Sequence, residues 1–199
     1  LFGSEPFSSA LRASNFEMFK YDWIWEKTIA TNFLDAKKRP LKAHEIVSIF
    51  ALEGPQYYPV LIEHGTPSRQ GRARKGSPDV YRQGIINVGT DGHTWRYPRS
   101  IQHFHGINSL HERAHPTQKP LALLEYLVKT YTNEGDCVLD FTSGSGTTLR
   151  ACKNLGRHSV GIEMLEHYCE ATVNRLAPAF EAALVDDGAS MEDLPLFST

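Results

Sequence analysis

Two glycines lie in a run of small residues that follows a short apolar segment, and this pattern predicts a ligand-binding loop. The apolar segment ends in Asp140, at the carboxyl end of a predicted strand, where open α/β sheets bind ligands. Glycine adopts backbone conformations closed to other residues, so such a loop before a helix lets backbone N–H groups approach a ligand closely. The candidate residues are Asp140, Phe141, Ser143, Gly144, Ser145, Gly146, Thr147 and Thr148.

A second short apolar segment ends in an acid about 20 residues after the loop, a separation at which a carboxylate can bind a ribose hydroxyl pair. This segment runs from His158 to Glu163 and is followed by Met164. The loop lacks the lysine of a phosphate-binding P-loop, and it contains G-x-G rather than G-x-G-x-x-G. The two segments therefore predict a ligand that carries a ribose and need not carry a pyrophosphate.

Residues 140–148 resemble the S-adenosylmethionine loop of the DNA amino-methyltransferases. Glu163 matches the ribose-binding acid of that family, and His115-Pro116-Thr117-Gln118-Lys119-Pro120 matches its other cofactor motif. Ser143 stands where a bulkier residue is common in the family. Cofactor motifs in the C-terminal half are the arrangement of the β group. The resemblance covers most of residues 1–177, and residues 55–112 match poorly.

The resemblance implies a cofactor, S-adenosyl-L-methionine, and a role for each matching residue. Asp140 would face the amino-acid end of the cofactor, Phe141 would contact it, and Glu163 would hold the ribose hydroxyls with Met164 beside the adenine. Thr117 and its neighbours would close the amino-acid side. The implied contacts are His115, Pro116, Thr117, Asp140, Phe141, Ser143, Gly144, Ser145, Gly146, Thr147, Thr148, Glu163 and Met164.

The elements that must position these residues alternate between strands and helices, which indicates parallel pairing and a sheet covered on both faces. The periodicity predicts helices over 5–14, from Pro116 to Tyr131, over 147–155, and from Leu165 until Pro178 ends the last one. Strands are predicted over 19–26 with one aromatic face, and over 45–52, 137–141 and 158–163, with short ones near 80–89 and 93–97. The segment from Lys27 to His44 is predicted as a loop.

The resemblance implies an α/β, Rossmann-like methyltransferase fold with a mixed, mostly parallel sheet that is incomplete at its N-terminal side. Residues 1–54 would be strands of the catalytic half, and residues 55–112 a loop-rich target recognition insertion. Residues 113–180 would form the cofactor-binding region, and residues 181–199 a frayed acidic tail. Leu1-Phe2-Gly3 reads as the end of a strand, so we expect the chain to be the C-terminal part of a longer protein.

The net charge of −2 conceals a basic middle and an acidic tail. Seven basic residues lie between His64 and Arg99, whereas no lysine or arginine follows Phe180. The resemblance implies double-stranded DNA as the partner, and clustered lysine and arginine can contact phosphates and read base edges. A solvated charge run without a specific role is the alternative. The candidate DNA-binding residues are Lys37, Lys38, Arg39, Arg69, Arg72, Arg74 and Lys75.

The cysteines and the hydropathy point to a cytoplasmic protein. Cys137, Cys152 and Cys169 are odd in number and form no C-x-x-C pair, so each is read as a small core residue of a reduced protein. No apolar run approaches the roughly 20 residues of a membrane span, and no signal peptide is recognisable. His103, His105 and His111 have no cysteine near them, and His115 belongs to the cofactor motif, so we expect no metal site.

The family's catalytic signature, Asp/Asn/Ser-Pro-Pro-aromatic, is absent, because Pro-Pro occurs nowhere in the chain. In the family it lies upstream of the position that matches Leu1, on a strand beside the one at 137–141. We therefore expect a gap in the sheet between the strand at 1–3 and the strand at 137–141, and a fragment that is unstable alone.

Three functions remain open from the sequence. The first is a fragment of a DNA adenine-N6 or, less favoured, cytosine-N4 methyltransferase of a restriction–modification type. The second is a methyltransferase-like protein that binds DNA or cofactor without catalysis. The third, a nucleotide-binding oxidoreductase or ATPase, lacks the Walker lysine and the third glycine. A homodimer is left open.

Neutralising Arg72, Arg74 and Lys75 together is expected to lower the affinity for all DNA sequences and to flatten its dependence on salt, because each phosphate contact releases counterions. The measurement is the slope of log affinity against log salt concentration by fluorescence anisotropy. An unchanged slope would show that these residues do not touch the DNA backbone.

Overall fold

The computed structural model describes residues 1–63, 65–66, 94–106 and 114–187, and for residues 178–187 it describes the backbone alone. The strands in these residues are β1 (Phe2–Gly3), β2 (Phe19–Thr31), β3 (Lys42–Phe50), β4 (Ile62–Glu63), β5 (Trp95–Arg96), β6 (Ile101–Phe104), β7 (Cys137–Asp140) and β8 (His158–Gly161). The helices are α1 (Phe7–Ser14), α2 (Leu121–Tyr131), α3 (Thr147–Asn154) and α4 (Glu166–Asp187). None of the helices within these ranges is long and apolar enough to cross a membrane.

The first half of the chain builds a four-stranded mixed sheet in the order β1-β3-β2-β6. β3 runs antiparallel to both β1 and β2, and β6 adds to the outer edge of β2 in parallel. The aromatic face predicted for β2 is buried, and Trp23 and Trp25 are each 5% exposed. The ring of Trp23 meets the edge of Tyr126 on α2 at 5.8 Å, so α2 covers this face of the sheet.

The second half forms a βαβ unit in which β7 and β8 pair in parallel and α3 connects them. α3 lies close against β8, where a side chain at Gly161 would collide with Leu149. The other side of α3 packs on α2, and the buried residues Leu124, Val128, Ala151 and Cys152 form the core between the two helices. β4 and β5 form a separate antiparallel pair. The molecule is therefore a mixed α/β structure with a mixed sheet that contains parallel strands, as predicted.

The predicted gap in the sheet is confirmed in the described residues. β1 pairs with β3 alone, at Phe2↔Val47 and Gly3↔Ile46, and β7 pairs with β8 alone. Leu1, Phe2, Val138 and Leu139 line the space between the two unpaired edges. Leu139, although it belongs to a strand, is 58% exposed there. The two sheets are thus separated by an open, largely apolar groove.

Several predicted boundaries are wrong, each for a local physical reason. α2 begins at Leu121 rather than after Pro116, because Pro120 has an extended backbone (ψ 136°) and disfavours helix at the residue before it. β2 continues to Thr31 and β3 begins at Lys42, so the loop between them is shorter than the predicted 27–44. α4 continues past Pro178 to Asp187, since a proline removes one helix hydrogen bond without always ending the helix.

The reading of all three cysteines as core residues is also wrong. Cys152 is fully buried between α2 and α3, whereas Cys137 and Cys169 are exposed. Cys137 begins β7 and Cys169 is the fourth residue of α4. The apolar character of a cysteine alone could not tell whether either position is exposed or buried. The short strand predicted near 80–89 lies outside the described residues, and the one near 93–97 is β5.

A cluster of aromatic side chains connects the first sheet to α2, and therefore to the βαβ unit that packs on α2. The indole N–H of Trp23 donates to the hydroxyl of Tyr131 at 2.5 Å, and this hydroxyl lies 3.1 Å from that of Tyr21. Burial of the Tyr131 hydroxyl raises its pKa well above the ordinary value. Tyr131 thus satisfies a donor that has little access to water.

Tyr131→Phe is expected to lower the free energy of unfolding by about 1–3 kcal/mol, because the buried N–H of Trp23 loses its acceptor. Urea denaturation followed by tryptophan fluorescence measures the change. Tyr97→Phe is the matched control, because Tyr97 is 64% exposed and its substitution should be nearly neutral. Equal effects of the two substitutions would contradict a structural role for the Tyr131 hydroxyl.

Candidate functional site

The loop between β7 and α3 has a backbone that only glycine adopts easily at two positions. Gly144 has φ of +52° and Gly146 has φ of +73°, both in the left-handed region. A side chain at Gly146 would also collide with Thr172 on α4, and one at Gly144 would touch the His115 ring at 3.4 Å. The loop is therefore packed on both sides, and its first helical turn begins at Thr147.

Glu163, which follows β8, is hydrogen-bonded to this loop. Its carboxylate accepts hydrogen bonds from the backbone N–H of Gly144 at 2.9 Å, of Met164 at 2.8 Å and of Leu165 at 3.0 Å. The bond from Leu165, with those from Met164 and Gly144 and the nearby His115, lowers the pKa of Glu163 despite a smaller opposing effect of burial. The carboxylate is therefore ionised at neutral pH, and backbone N–H groups take three of its roughly four acceptor positions.

Asp140 organises the other end of the loop. One carboxylate oxygen accepts from the hydroxyl of Thr148 at 2.5 Å, and the other accepts from the backbone N–H of Thr142 at 3.2 Å. These contacts tie the end of β7 to the first turn of α3. The carboxylate still lines the cavity described below, so it is positioned to meet a cationic group there.

The segment that precedes α2 packs against the same loop. The imidazole Nδ1 of His115 accepts from the backbone N–H of Thr117 at 3.2 Å, and the Thr117 hydroxyl lies 3.1 Å away. The His115 ring also stacks edge-on against Tyr168 of α4, with 4.3 Å between ring centroids. Ser145, which is 2% exposed, donates to the side-chain oxygen of Gln118 at 3.2 Å. The fold thus brings together the two sequence motifs, which lie more than 20 residues apart.

A cavity of about 680 Å³ opens between these two motifs and extends into the groove between the sheets. The predicted cofactor residues that line it are His115, Thr117, Asp140, Phe141, Ser143, Gly144, Ser145, Thr147 and Thr148. Pro116, Gly146, Glu163 and Met164 do not line it. Gly146 and Glu163 shape the loop from behind, and Met164 is 90% exposed. Apolar residues complete the walls, among them Phe2 of β1, Phe7 of α1 and Leu127 of α2.

The predicted DNA-binding residues fall into two groups. Lys37, Lys38 and Arg39 lie in the turn between β2 and β3, where Arg39 is paired with Asp35. Arg69, Arg72, Arg74 and Lys75 lie outside the described residues. His103 and His105 stack on each other with 5.3 Å between centroids, and within the described ranges no three metal-binding side chains are grouped.

Some residues at the site were not singled out from the sequence. Gln118 accepts from both Ser145 and the backbone N–H of Ala114, so it fixes the motif on the loop. Thr172 of α4 donates to the backbone of Gly144 at 3.3 Å. Gln118 stands inside a recognised motif, which is a signal that could have found it. Thr172 is one polar residue on an amphipathic helix, and its position in sequence contains no such signal.

Comparisons with known proteins agree with this geometry. A sequence model of the DNA methylase family matches residues 6–174. Type II methyltransferase M.HpaI of Haemophilus parainfluenzae is 36% identical over 105 residues, which is 52% of this chain and 32% of that protein. The putative methylase YubD of Escherichia coli K12 is 41% identical over 81 residues, which is 41% of this chain and 35% of that protein. In each of these two alignments the chain spans about a third of the length of the relative.

A solved structure shares both the fold and some sequence. The crystal structure of an M1.HpyAVI–SAM complex superposes with a TM-score of 0.59 and 25% sequence identity, covering 88% of this chain and 72% of that chain. Its cofactor, S-adenosylmethionine, is the one that the family uses.

Glu163→Ala is expected to weaken the binding of S-adenosylmethionine roughly tenfold or more, the scale of a lost hydrogen bond to a charged group. Calorimetric titration of the folded protein measures the affinity. The affinity of the Glu163→Gln variant should lie between that of the unchanged protein and that of Glu163→Ala, because an amide oxygen can still accept from Gly144. Glu170→Gln, an exposed acid on α4, is the control, and an unchanged affinity for Glu163→Ala would remove Glu163 from the cofactor site.

Proposed function

This chain belongs to the DNA methylase family, and we propose that it is part of a site-specific DNA methyltransferase that methylates the exocyclic N6 of adenine or, as the less favoured alternative, N4 of cytosine. The methyl donor is S-adenosyl-L-methionine, and the substrate is double-stranded DNA. A restriction–modification role belongs to the same proposal. The three cysteines are free thiols, which supports a reducing, cytoplasmic location.

The observation that supports this proposal most directly is the bond from the Gly144 N–H to the Glu163 carboxylate. It joins the loop after β7 to the acid after β8, so both lie at the carboxyl edge of two paired parallel strands. A ligand at this edge can place a ribose near Glu163 and an amino-acid end near Asp140, which are the two polar ends of the cofactor. Three backbone N–H groups, one of them in the loop, hold the Glu163 carboxylate in this position.

The residues of this chain would bind and orient the cofactor. When bound, S-adenosylmethionine supplies an activated methyl group on a sulfonium centre. Asp140 is placed to attract the ammonium group of the amino-acid end. The exposed Phe141 ring, 55% exposed beside the cavity, offers an apolar surface for the remainder. Much of the methylation rate would come from orientation rather than from acid or base chemistry.

The turn between β2 and β3 is the described surface that we propose for DNA. The turn projects beyond the Thr31↔Lys42 pair, and Lys42 donates to Ser4 directly after β1. Phe7, three residues after Ser4, lines the cavity. The turn therefore extends from the edge of the sheet at which the site opens. Lys37 and Lys38 would contact phosphates there. Arg39 is partly neutralised by Asp35, and the four basic residues of 69–75 stay in the proposal as further contacts.

The groove between β1 and β7 is where we place the catalytic segment of the proposed enzyme. A strand beside β7 would face the cavity that holds the cofactor, and it would bury Leu139, which is now 58% exposed. Such a strand would present its carboxyl-end residues to a flipped base, since chemistry on a base requires its removal from the helix stack. No Pro-Pro sequence is present in residues 1–199 to serve as that segment.

We expect residues 1–199 alone to transfer no methyl group to DNA, and a longer form that includes an intact catalytic motif to transfer it to adenine or cytosine amines. Orientation of the amine contributes several kcal/mol to such a reaction, and the short chain has no described group in the groove to provide it. The measurement is transfer of tritium from labelled S-adenosylmethionine to duplex DNA by both forms.

The same assay distinguishes the alternatives. Transfer by residues 1–199 would show that the catalytic residues lie within this chain. Inactivity of the longer form, with retained cofactor and DNA binding, would favour a methyltransferase-like protein that binds without catalysis. Digestion of the labelled DNA to nucleosides identifies the base that carries the methyl group.

A further inference from the structure

Three charged side chains from three separate segments meet beside the cavity, and one of them, Lys119, also lines it. Glu45 on β3 lies between Lys27 on β2 and Lys119, which precedes α2. One carboxylate oxygen is 2.5 Å from the Lys27 ammonium, and the other is 3.0 Å from the Lys119 ammonium. The side chains of Glu45 and Lys27 are 16% exposed and that of Lys119 is 22% exposed. These are not surface ion pairs.

The charges of this triad are mutually dependent. Burial raises the pKa of Glu45, but the hydrogen bonds and charges of Lys27 and Lys119 outweigh that effect, and the pKa lies below its ordinary value. The carboxylate is therefore ionised at neutral pH. Removal of one partner from such a half-buried group leaves a charge without compensation, which is more damaging than the loss of an exposed ion pair.

Lys119 has two further contacts, one within its own segment and one with β1 of the first sheet. Its ammonium donates to the backbone carbonyl of Thr117 at 3.3 Å and lies 5.2 Å from the centre of the Phe2 ring. Thr117 is bonded to His115, and the His115 ring lies 3.4 Å from the position that a side chain on Gly144 would occupy. Through Lys119, Glu45 is thus connected to the wall of the cavity that faces the glycine loop.

The two bonds of Glu45 have different consequences. Lys27 and Glu45 lie on neighbouring antiparallel strands, near the Trp25↔Glu45 pair, so their bond supports a sheet that is already hydrogen-bonded. The bond to Lys119 joins the sheet to a segment that has no strand pairing with it. The first bond therefore serves stability, and the second fixes the position of residues 115–118.

We propose that Glu45 is a positioning residue for the cofactor site: it holds Lys119, and Lys119 holds residues 115–118 against the glycine loop. Glu45 does not line the cavity and would not touch the cofactor. The inference rests on the proposed cofactor contacts of residues 115–117. It assigns to Lys119 a role beyond the start of a helix, and to Glu45 and Lys27 roles that no motif indicates.

The test is a double-mutant cycle of Glu45→Gln and Lys119→Met, read as the affinity for S-adenosylmethionine by calorimetry and as stability by urea unfolding. Each single substitution is expected to weaken cofactor binding about tenfold, and the double substitution little more than either one, because both break the same connection. Lys119→Arg should restore most of the affinity, because it keeps a cation within reach of Glu45.

Lys27→Met is the matched control, because it removes the other bond of Glu45 and leaves the Glu45–Lys119 bond in place. It should lower the free energy of unfolding without changing the cofactor affinity of the folded molecules. Additive losses of affinity in the cycle, or a loss for Lys27→Met as large as that for Glu45→Gln, would overturn the positioning role and leave a structural ion cluster.

The outcome also separates this inference from the proposed function. If the protein binds the cofactor and Glu163→Ala weakens it, while Glu45→Gln changes stability alone, the cofactor site stands and the positioning role is wrong. If the folded protein does not bind the cofactor, both are wrong. A Glu45→Gln variant that does not fold is replaced in the comparison by Lys119→Met against Lys119→Arg, where equal affinities would contradict the inference.

Discussion

The hydrogen bond between the Glu163 carboxylate and the Gly144 N–H is the constraint on which the site depends. It links the loop after β7 to the segment after β8, while Thr172 and His115 pack on the same loop from α4 and from the segment before α2. The left-handed backbone at Gly144 and Gly146 is costly for residues other than glycine. The neighbouring segments leave no room for a different loop conformation, so the loop keeps this shape.

The cavity that this loop borders is shared between two sheets that do not pair with each other. α2 connects them, with Tyr131 and Tyr126 against the first sheet and Leu124 and Val128 against α3. Lys119, just before α2, adds the charged connection to Glu45. Apolar packing is non-directional, so the charged and hydrogen-bonded contacts are those that set the position of the cofactor motifs relative to the sheet.

The groove between β1 and β7 leaves apolar strand residues exposed, and unpaired strand edges are a liability in any protein. A strand that fills the groove would satisfy both edges and complete a continuous sheet beneath the cofactor. The same segment would then serve both the fold and the reaction, so one stretch of sequence would be required for stability and for catalysis.

The sequence by itself determined the elements and motifs whose signals are local. Periodicity located β2, β3, β7, α3 and β8, although β2 and β3 extend further than predicted. The residue types of the loop and of Glu163 indicated a ligand with a ribose, and the 115–120 motif was found through its family resemblance. The end of α4, the exposure of Cys137 and Cys169, and the contacts of Thr172 and Glu45 were decided by the tertiary structure alone. Backbone preference and side-chain chemistry act within a few residues of sequence, whereas burial and hydrogen-bond partners depend on segments brought together from distant parts of the chain.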